Sequence, residues 1–244
     1  GIPADLNVTP VYTYAVKGGE AIDKFDILTA NSGIYTVTVS ISGDTNYNDK
    51  TSEAIVFAIA RADRSVTVTI SGWTYGDKID IADKLVIEGI QESDIKSVTY
   101  SGETNAGTEY SSTTVPEEAG TYTVTVTWDE TTNYTAGEAV SKEFTIARAT
   151  GSAKISVNGT LYTEKVTAYY TGSEQTFTVT VKGHDGGAIH IDGTPSSTLN
   201  YDLTDAGTTT EVNVTVAQTA NYTGATAIAY IEILPAVIKS VTLE

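Results

Sequence analysis

The chain reads as all-β, and three observations lead there. Of its 244 residues 42 are threonine and 15 tyrosine, both suited to pleated, half-exposed strands. Straight-chain helix formers are scarce, and no stretch repeats its apolar residues at a helical period. Strict alternation recurs instead. Tyr122-Thr123-Val124-Thr125-Val126-Thr127-Trp128 sends Tyr, Val, Val and Trp to one face and Thr to the other.

The composition bounds function as well. Fourteen basic residues face 31 acidic ones, for a formal charge of −17 and a pI near 4.3. Phosphate binding needs clustered Lys and Arg, and none cluster here, so no nucleic-acid partner is expected. No apolar run is long enough to span a bilayer, and none of the chain is expected to insert in a membrane. The absence of cysteine removes disulfides, thiolate catalysis and Cys-ligated zinc. The start, Gly1-Ile2-Pro3, reads as lacking a signal peptide or as having lost one.

Internal repetition organises the rest. Ser32-Gly33-Ile34-Tyr35-Thr36-Val37-Thr38-Val39 returns 87 residues later as Ala119-Gly120-Thr121-Tyr122-Thr123-Val124-Thr125-Val126. The same offset carries Asn46-Tyr47 onto Asn133-Tyr134, and Phe57-Ala58-Ile59-Ala60-Arg61-Ala62 onto Phe144-Thr145-Ile146-Ala147-Arg148-Ala149. A third copy follows with Ala206-Gly207, Asn221-Tyr222 and Ile231-Glu232-Ile233, one residue being inserted before Asn221. The spacing predicts a truncated first repeat over residues 1–60, full repeats over 61–147 and 148–234, and at 235–244 the first strand or linker of a further repeat. At the front of each repeat, Tyr75 aligns with Tyr162 at the same offset. Each unit is long enough to bury its own core. The junctions Ala60-Arg61-Ala62 and Ala147-Arg148-Ala149 hold no Gly/Ser run, which predicts stiff coupling and an elongated array.

A Gly-x-Tyr entry followed by alternating Val fits strand F of an immunoglobulin-like sandwich, where a Tyr two residues before the buried core position bonds back to the preceding corner. Tyr35 and Tyr122 take that place, whereas the third copy has Thr208-Thr209-Thr210 and no Tyr there. The predicted fold class is therefore tandem immunoglobulin-like Greek-key β-sandwich domains. The stretches Ala119–Val126, Thr132-Asn133-Tyr134 and Phe144-Thr145-Ile146 resemble the MBG/YDG-type repeats of bacterial cell-surface proteins, as do Gly72-Trp73-Thr74-Tyr75-Gly76-Asp77 and residues 11–19. The resemblance covers essentially the whole chain. It implies immunoglobulin-like modules of a large secreted or wall-attached adhesin-like protein, extracellular in location. It supplies no catalytic or binding residue.

Candidate chemistry is thin. His184, Asp185, His190 and Asp192 fall within nine residues and could ligate a divalent metal, but a solvated hairpin is the reading the segment favours. Asp77, Asp80, Asp83, Glu92 and Asp94 form an acidic segment without regular Asp-x-Asp spacing; calcium is the one ion it suggests, and otherwise no cofactor is expected. No nucleophile elbow appears, and carboxylates such as Glu117-Glu118 fall at strand ends, where they read as serving solubility and not glycoside chemistry. No catalytic residue is assigned and the chain is not read as an enzyme. Trp73 and Tyr75, between Gly72 and Gly76, are the ligand-binding candidates, since partly exposed rings stack on sugars. Trp73 does not recur, whereas the recurring Tyr47, Tyr134 and Tyr222 favour packing against the sandwich or a neighbouring repeat. The expected role is a monomeric, non-enzymatic spacer whose partners are its neighbouring repeats. The alternative is a glycan- or mucin-binding adhesion module that meets a host or cell-surface glycan or protein.

Overall fold

The computed structural model describes residues 8–24, 26–163 and 165–238. The chain divides into two compact units, one of Gly1–Val68, Ile87–Val98 and Thr125–Val140, the other of Thr69–Val86, Thr99–Val124 and Ser141–Glu244. The units do not follow the sequence repeat, because each takes one part of its middle copy.

In the first copy a five-stranded sheet holds β1 (Val11–Val16), β2 (Ala21–Ile22), β3 (Gly33–Ile41), β4 (Lys50–Thr51) and β5 (Ile55–Ile59), ordered β2-β1-β3-β4 with β5 also on β3. Antiparallel register sets Val16, Tyr14 and Tyr12 opposite Tyr35, Val37 and Val39, so all six share one face. Phe57 lies opposite Tyr35 on the other side and stacks on it with centroids 5.8 Å apart.

The middle copy supplies β6 (Thr67–Ile70), β7 (Trp73–Thr74), β8 (Leu85–Glu88), β9 (Ile95–Thr104), β10 (Glu109–Ser112), β11 (Gly120–Trp128), β12 (Gly137–Val140) and β13 (Phe144–Ala147). One sheet runs β10-β9-β11-β13-β7 with β12 on β11, and β6 pairs β8. The alternation expected of β11 is met: Tyr122, Val124, Val126 and Trp128 are buried, with the intervening threonines less so. Burying each such side chain contributes about 1.5–3 kcal/mol.

The third copy is a full two-sheet sandwich built from β14 (Ala153–Val157), β15 (Thr160–Leu161), β16 (Val166–Tyr169), β17 (Gln175–Gly183), β18 (Ile189–Ile191), β19 (Thr194–Pro195), β20 (Thr198–Leu203), β21 (Thr209–Val216) and β22 (Ala225–Leu234). Its sheets are ordered β15-β14-β17-β20 and β16-β22-β21-β18-β19. Ile155, Val157, Phe177, Val179 and Val181 of the first meet Ile191, Val212, Val214, Ala229, Ile231 and Ile233 of the second in one core. β16 runs parallel to the last strand while every other pairing in the two sheets is antiparallel. That is the strand plan of an immunoglobulin-like sandwich.

The tyrosine corner forms where the sequence places it. The Tyr35 hydroxyl donates to the Asn31 carbonyl at 2.6 Å, and that of Tyr122 to the Glu118 carbonyl at 2.9 Å. In the third copy the inserted residue lies at Gly207–Thr208. Gly207 still donates to the Ile233 carbonyl, yet Thr209 already sits opposite Glu232. The result is a bulge opened by a glycine at φ +87°, which L side chains rarely adopt.

One sequence alignment needs correction. Trp73 pairs with Ile146 and Ala168 with Ile233; the Tyr75 N–H donates to Ala147 and the Tyr170 N–H to Leu234. The counterpart of Tyr75 is thus Tyr170 and not Tyr162. A tight turn through Asn158 (φ +49°) and Gly159 (φ +80°) folds β15 back on β14 and lengthens this segment of the third copy.

Candidate functional site

The sites with the most specific geometry are two copies of a turn-and-corner clamp. Thr131 and Thr219 each open a tight turn. Their N–H groups donate to Tyr134 and Tyr222 carbonyls at 3.0 Å, and their hydroxyls accept from the same tyrosines' N–H groups at 3.2 and 3.1 Å. In the first copy Asp44 does the same for Tyr47, with its carboxylate in place of the hydroxyl. The entering chain locks the two later turns. Ala62 donates to the Asn133 carbonyl and accepts from Thr135, and Ala149 treats Asn221 and Thr223 alike, at 2.8–3.0 Å.

So held, the asparagine side chain faces the tyrosine corner of the preceding copy. Ser32 N–H donates to Asn133 Oδ1 at 2.8 Å while Asn133 Nδ2 donates to Asn31 Oδ1 at 2.8 Å. The Ser32 hydroxyl bonds the Thr132 carbonyl. One repeat on, Ala119 N–H donates to Asn221 Oδ1 at 2.9 Å, and Asn221 Nδ2 donates to the Glu118 carboxylate. Asn105 Nδ2 adds a bond to the Ala220 carbonyl at 3.1 Å. An amide serves because it offers an acceptor and a donor on one planar group, matched to a backbone N–H and a neighbouring side-chain oxygen.

The tyrosine of each turn is fixed by a different local group. The Arg64 guanidinium lies 4.5 Å from the Tyr134 ring centroid, and its Nη2 pairs with Asp94 at 2.6 Å. Tyr222 instead stacks on His184 with centroids 5.1 Å apart and meets Tyr75 edge-on at 5.5 Å. The negative charge of Glu118 raises the pKa of the Tyr75 hydroxyl, helped by desolvation, Tyr222 and Asp185.

The structure separates the residues expected to bind ligand. Trp73 is not partly exposed as anticipated: it is buried, its indole stacked 5.3 Å from Phe144, because β7 pairs with β13 and turns it onto the core. Tyr75 is half-buried against Tyr222. Both still border a groove of about 840 Å³ whose other walls include Lys78, Ile81, Val115 and Glu117. The suggested metal ligands do not converge. His184 accepts from Ser152 N–H and bonds the Ala217 carbonyl; His190 sits in β18; Asp192 accepts from Asn213 N–H and from the Tyr201 hydroxyl. Nor do the calcium candidates: Asp77 accepts from Thr74 N–H, Asp80 from Ala82 N–H, and Asp94 pairs with Arg64. Among the described residues no three such side chains gather as a metal site.

The Asn-Tyr pair recurs visibly in the sequence, but no local pattern assigns the asparagine a task. The signal was the pairing of two recurrences. Each Asn meets a corner 101 or 102 residues earlier, one repeat length plus the distance from corner to turn.

No protein-family profile and no curated protein matches this chain. Among solved structures, fibronectin(III)-like modules of Clostridium thermocellum CbhA align at 13% identity, covering 74% of this chain and 100% of theirs, with a TM-score of 0.23. The N-terminal four Ig domains of Dscam1 align at 10%, covering 91% of this chain and 59% of theirs, TM-score 0.31. Extracellular domains 3–5 of Drosophila OTK align at 9%, covering 95% and 89%, TM-score 0.29. At these scores the likenesses carry no argument, and the immunoglobulin-like assignment rests on strand order and register.

Proposed function

We propose that this chain is a non-enzymatic spacer: a run of immunoglobulin-like repeats that holds a functional domain at a distance, in an extracellular adhesin-like protein of the MBG/YDG type. The observation that supports the reading is the recurrence of one clamp at two successive junctions. An Asn side chain on the turn of one repeat bonds the corner N–H and a side-chain oxygen of the repeat before it. A ligand site has no need to recur at repeat spacing, whereas a device that fixes neighbour to neighbour does. The charge of −17 keeps such an array soluble and self-repelling.

Small-angle scattering of the intact chain, with and without calcium, tests the role. A spacer gives a rod on the order of 100 Å, from strands rising about 3.3 Å per residue, and ignores calcium. A compact or calcium-dependent particle contradicts it.

A further inference from the structure

Asn158 and Gly159 form the only Asn-Gly step in the sequence. They make the tight turn between β14 and β15, at φ +49° and +80°, and both are exposed. Asn tolerates this left-handed backbone better than most residues, and Gly takes it freely. Nothing lies within 4 Å of a Cβ built on Gly159, so the turn is uncrowded from outside. An asparagine followed by glycine is open to a reaction that needs no enzyme. The Gly159 nitrogen attacks Asn158 Cγ, the Cγ–Nδ2 bond breaks, and the amide nitrogen leaves with the glycine's proton as ammonia. A five-membered succinimide results. Water opens it at either carbonyl, giving aspartate at 158 or an isoaspartate whose main chain runs through Cβ.

The fold restrains the first step. The Asn158 N–H donates to the Thr178 carbonyl at 2.9 Å, and Asn158 Oδ1 accepts from the Thr178 N–H at 2.9 Å. The side-chain oxygen completes the antiparallel pair that the backbone carbonyl leaves as the chain turns. Bringing Cγ onto the Gly159 nitrogen takes Oδ1 off Thr178, so the reaction runs from an opened turn.

We infer that Asn158-Gly159 is a self-modification site, which the bonds to Thr178 protect in the folded third repeat and whose isoaspartate product releases the β14–β15 turn. Aspartate at 158 keeps an oxygen in reach of the Thr178 N–H. Isoaspartate adds one carbon to the main chain and leaves its carboxylate on Cα, which the same geometry no longer brings to Thr178. The loss reaches past the turn. β15 leads into Tyr162, whose N–H donates to the Ile155 carbonyl and whose hydroxyl accepts from the Tyr230 N–H at 3.1 Å. The inference depends neither on the spacer role nor on either clamp.

The test incubates the intact chain in mildly alkaline buffer, native and in guanidinium chloride. Peptide mass spectrometry with an isoaspartate-specific methyltransferase reads residue 158. Conversion should run at least about fivefold slower in the native chain, the least expected for opening two hydrogen bonds. After long native incubation, amide exchange at Thr178 should resolve two converted populations. One should match an Asn158→Asp chain, itself within about twofold of the parent; the other, bearing isoaspartate, should exchange at least about fivefold faster there and at Tyr230. Equal conversion in native and denatured chains, or none when denatured, overturns the inference. So does unchanged exchange in the isoaspartate population, or equal loosening by Asn158→Asp.

Discussion

Replacing Asn221 by Ala strikes the second clamp where it is least able to adapt. Ala119 is fully buried, and its N–H donates to Asn221 Oδ1. Truncation leaves that donor unpaired away from water, at a cost of about 1–3 kcal/mol. The bond from Nδ2 to Glu118 adds little to the loss, because the Glu118 carboxylate is exposed and regains water. At the first junction Asn133 serves Ser32, which is only half-buried, so Asn133→Ala should cost about 0.5–1.5 kcal/mol. Native-state amide exchange of Ala119 reads the effect locally and needs no two-state assumption. The Asn221→Ala chain should exchange this amide about 5- to 150-fold faster, while amides in β3 keep their rates. Unchanged exchange at Ala119, or a larger loss from Asn133→Ala than from Asn221→Ala, would refute the reasoning.

Three further outcomes are expected. Gly151→Ala should destabilise the third repeat by more than 1 kcal/mol in urea denaturation, because its Cβ would collide with the Thr223 carbonyl and come within 2.9 Å of His184 Nδ1; a neutral result would show that the His184–Tyr222 stack is not tightly seated. Tyr122→Phe should cost about 1 kcal/mol through the corner bond to Glu118, measured the same way, and a cost near zero would remove the corner from the account. Stability should fall as pH rises. Burial, foremost, lifts the hydroxyls of Tyr100, Tyr122 and Tyr201 above the ordinary value of 10.0, and Glu118 does the same for Tyr75. The unfolded chain therefore ionises first. The contribution is complete below pH 10 and is lost above it, as pH climbs toward the folded values. A flat denaturation midpoint from pH 9 to 11 would contradict this.

The parts legible in the sequence were those that local pattern dictates. The alternation of Tyr122 to Trp128 gave its buried face, and Gly-x-Tyr gave two corners whose hydroxyl bonds are present. The bulge at Gly207 was visible only as an offset that changed from 87 to 88. What pattern could not show is pairing between segments far apart. Trp73, next to Gly72, reads as a partly exposed ring, because nothing local announces that β7 lies parallel to β13. The 87-residue offset pairs Tyr75 with Tyr162 because a fixed offset cannot see a longer turn at Asn158-Gly159. His184 and Asp192 read together by proximity in sequence, yet each is engaged by a different strand or loop. The clamp was hidden most fully, since Asn221 and Ala119 are 102 residues apart and neither is unusual alone.

The central claim is that the Asn of each Asn-Tyr turn clamps the corner of the repeat before it, and a distance distribution within one clamped unit tests it most directly. The chain has no cysteine, so Lys50→Cys and Lys96→Cys give one spin label on the first copy and one on the part of the middle copy in the same compact unit. Pulsed dipolar spectroscopy should return a single narrow distribution for this pair, broadening markedly when Asn133→Ala is added. A broad distribution before that change, or a width it leaves unaltered, would contradict the account.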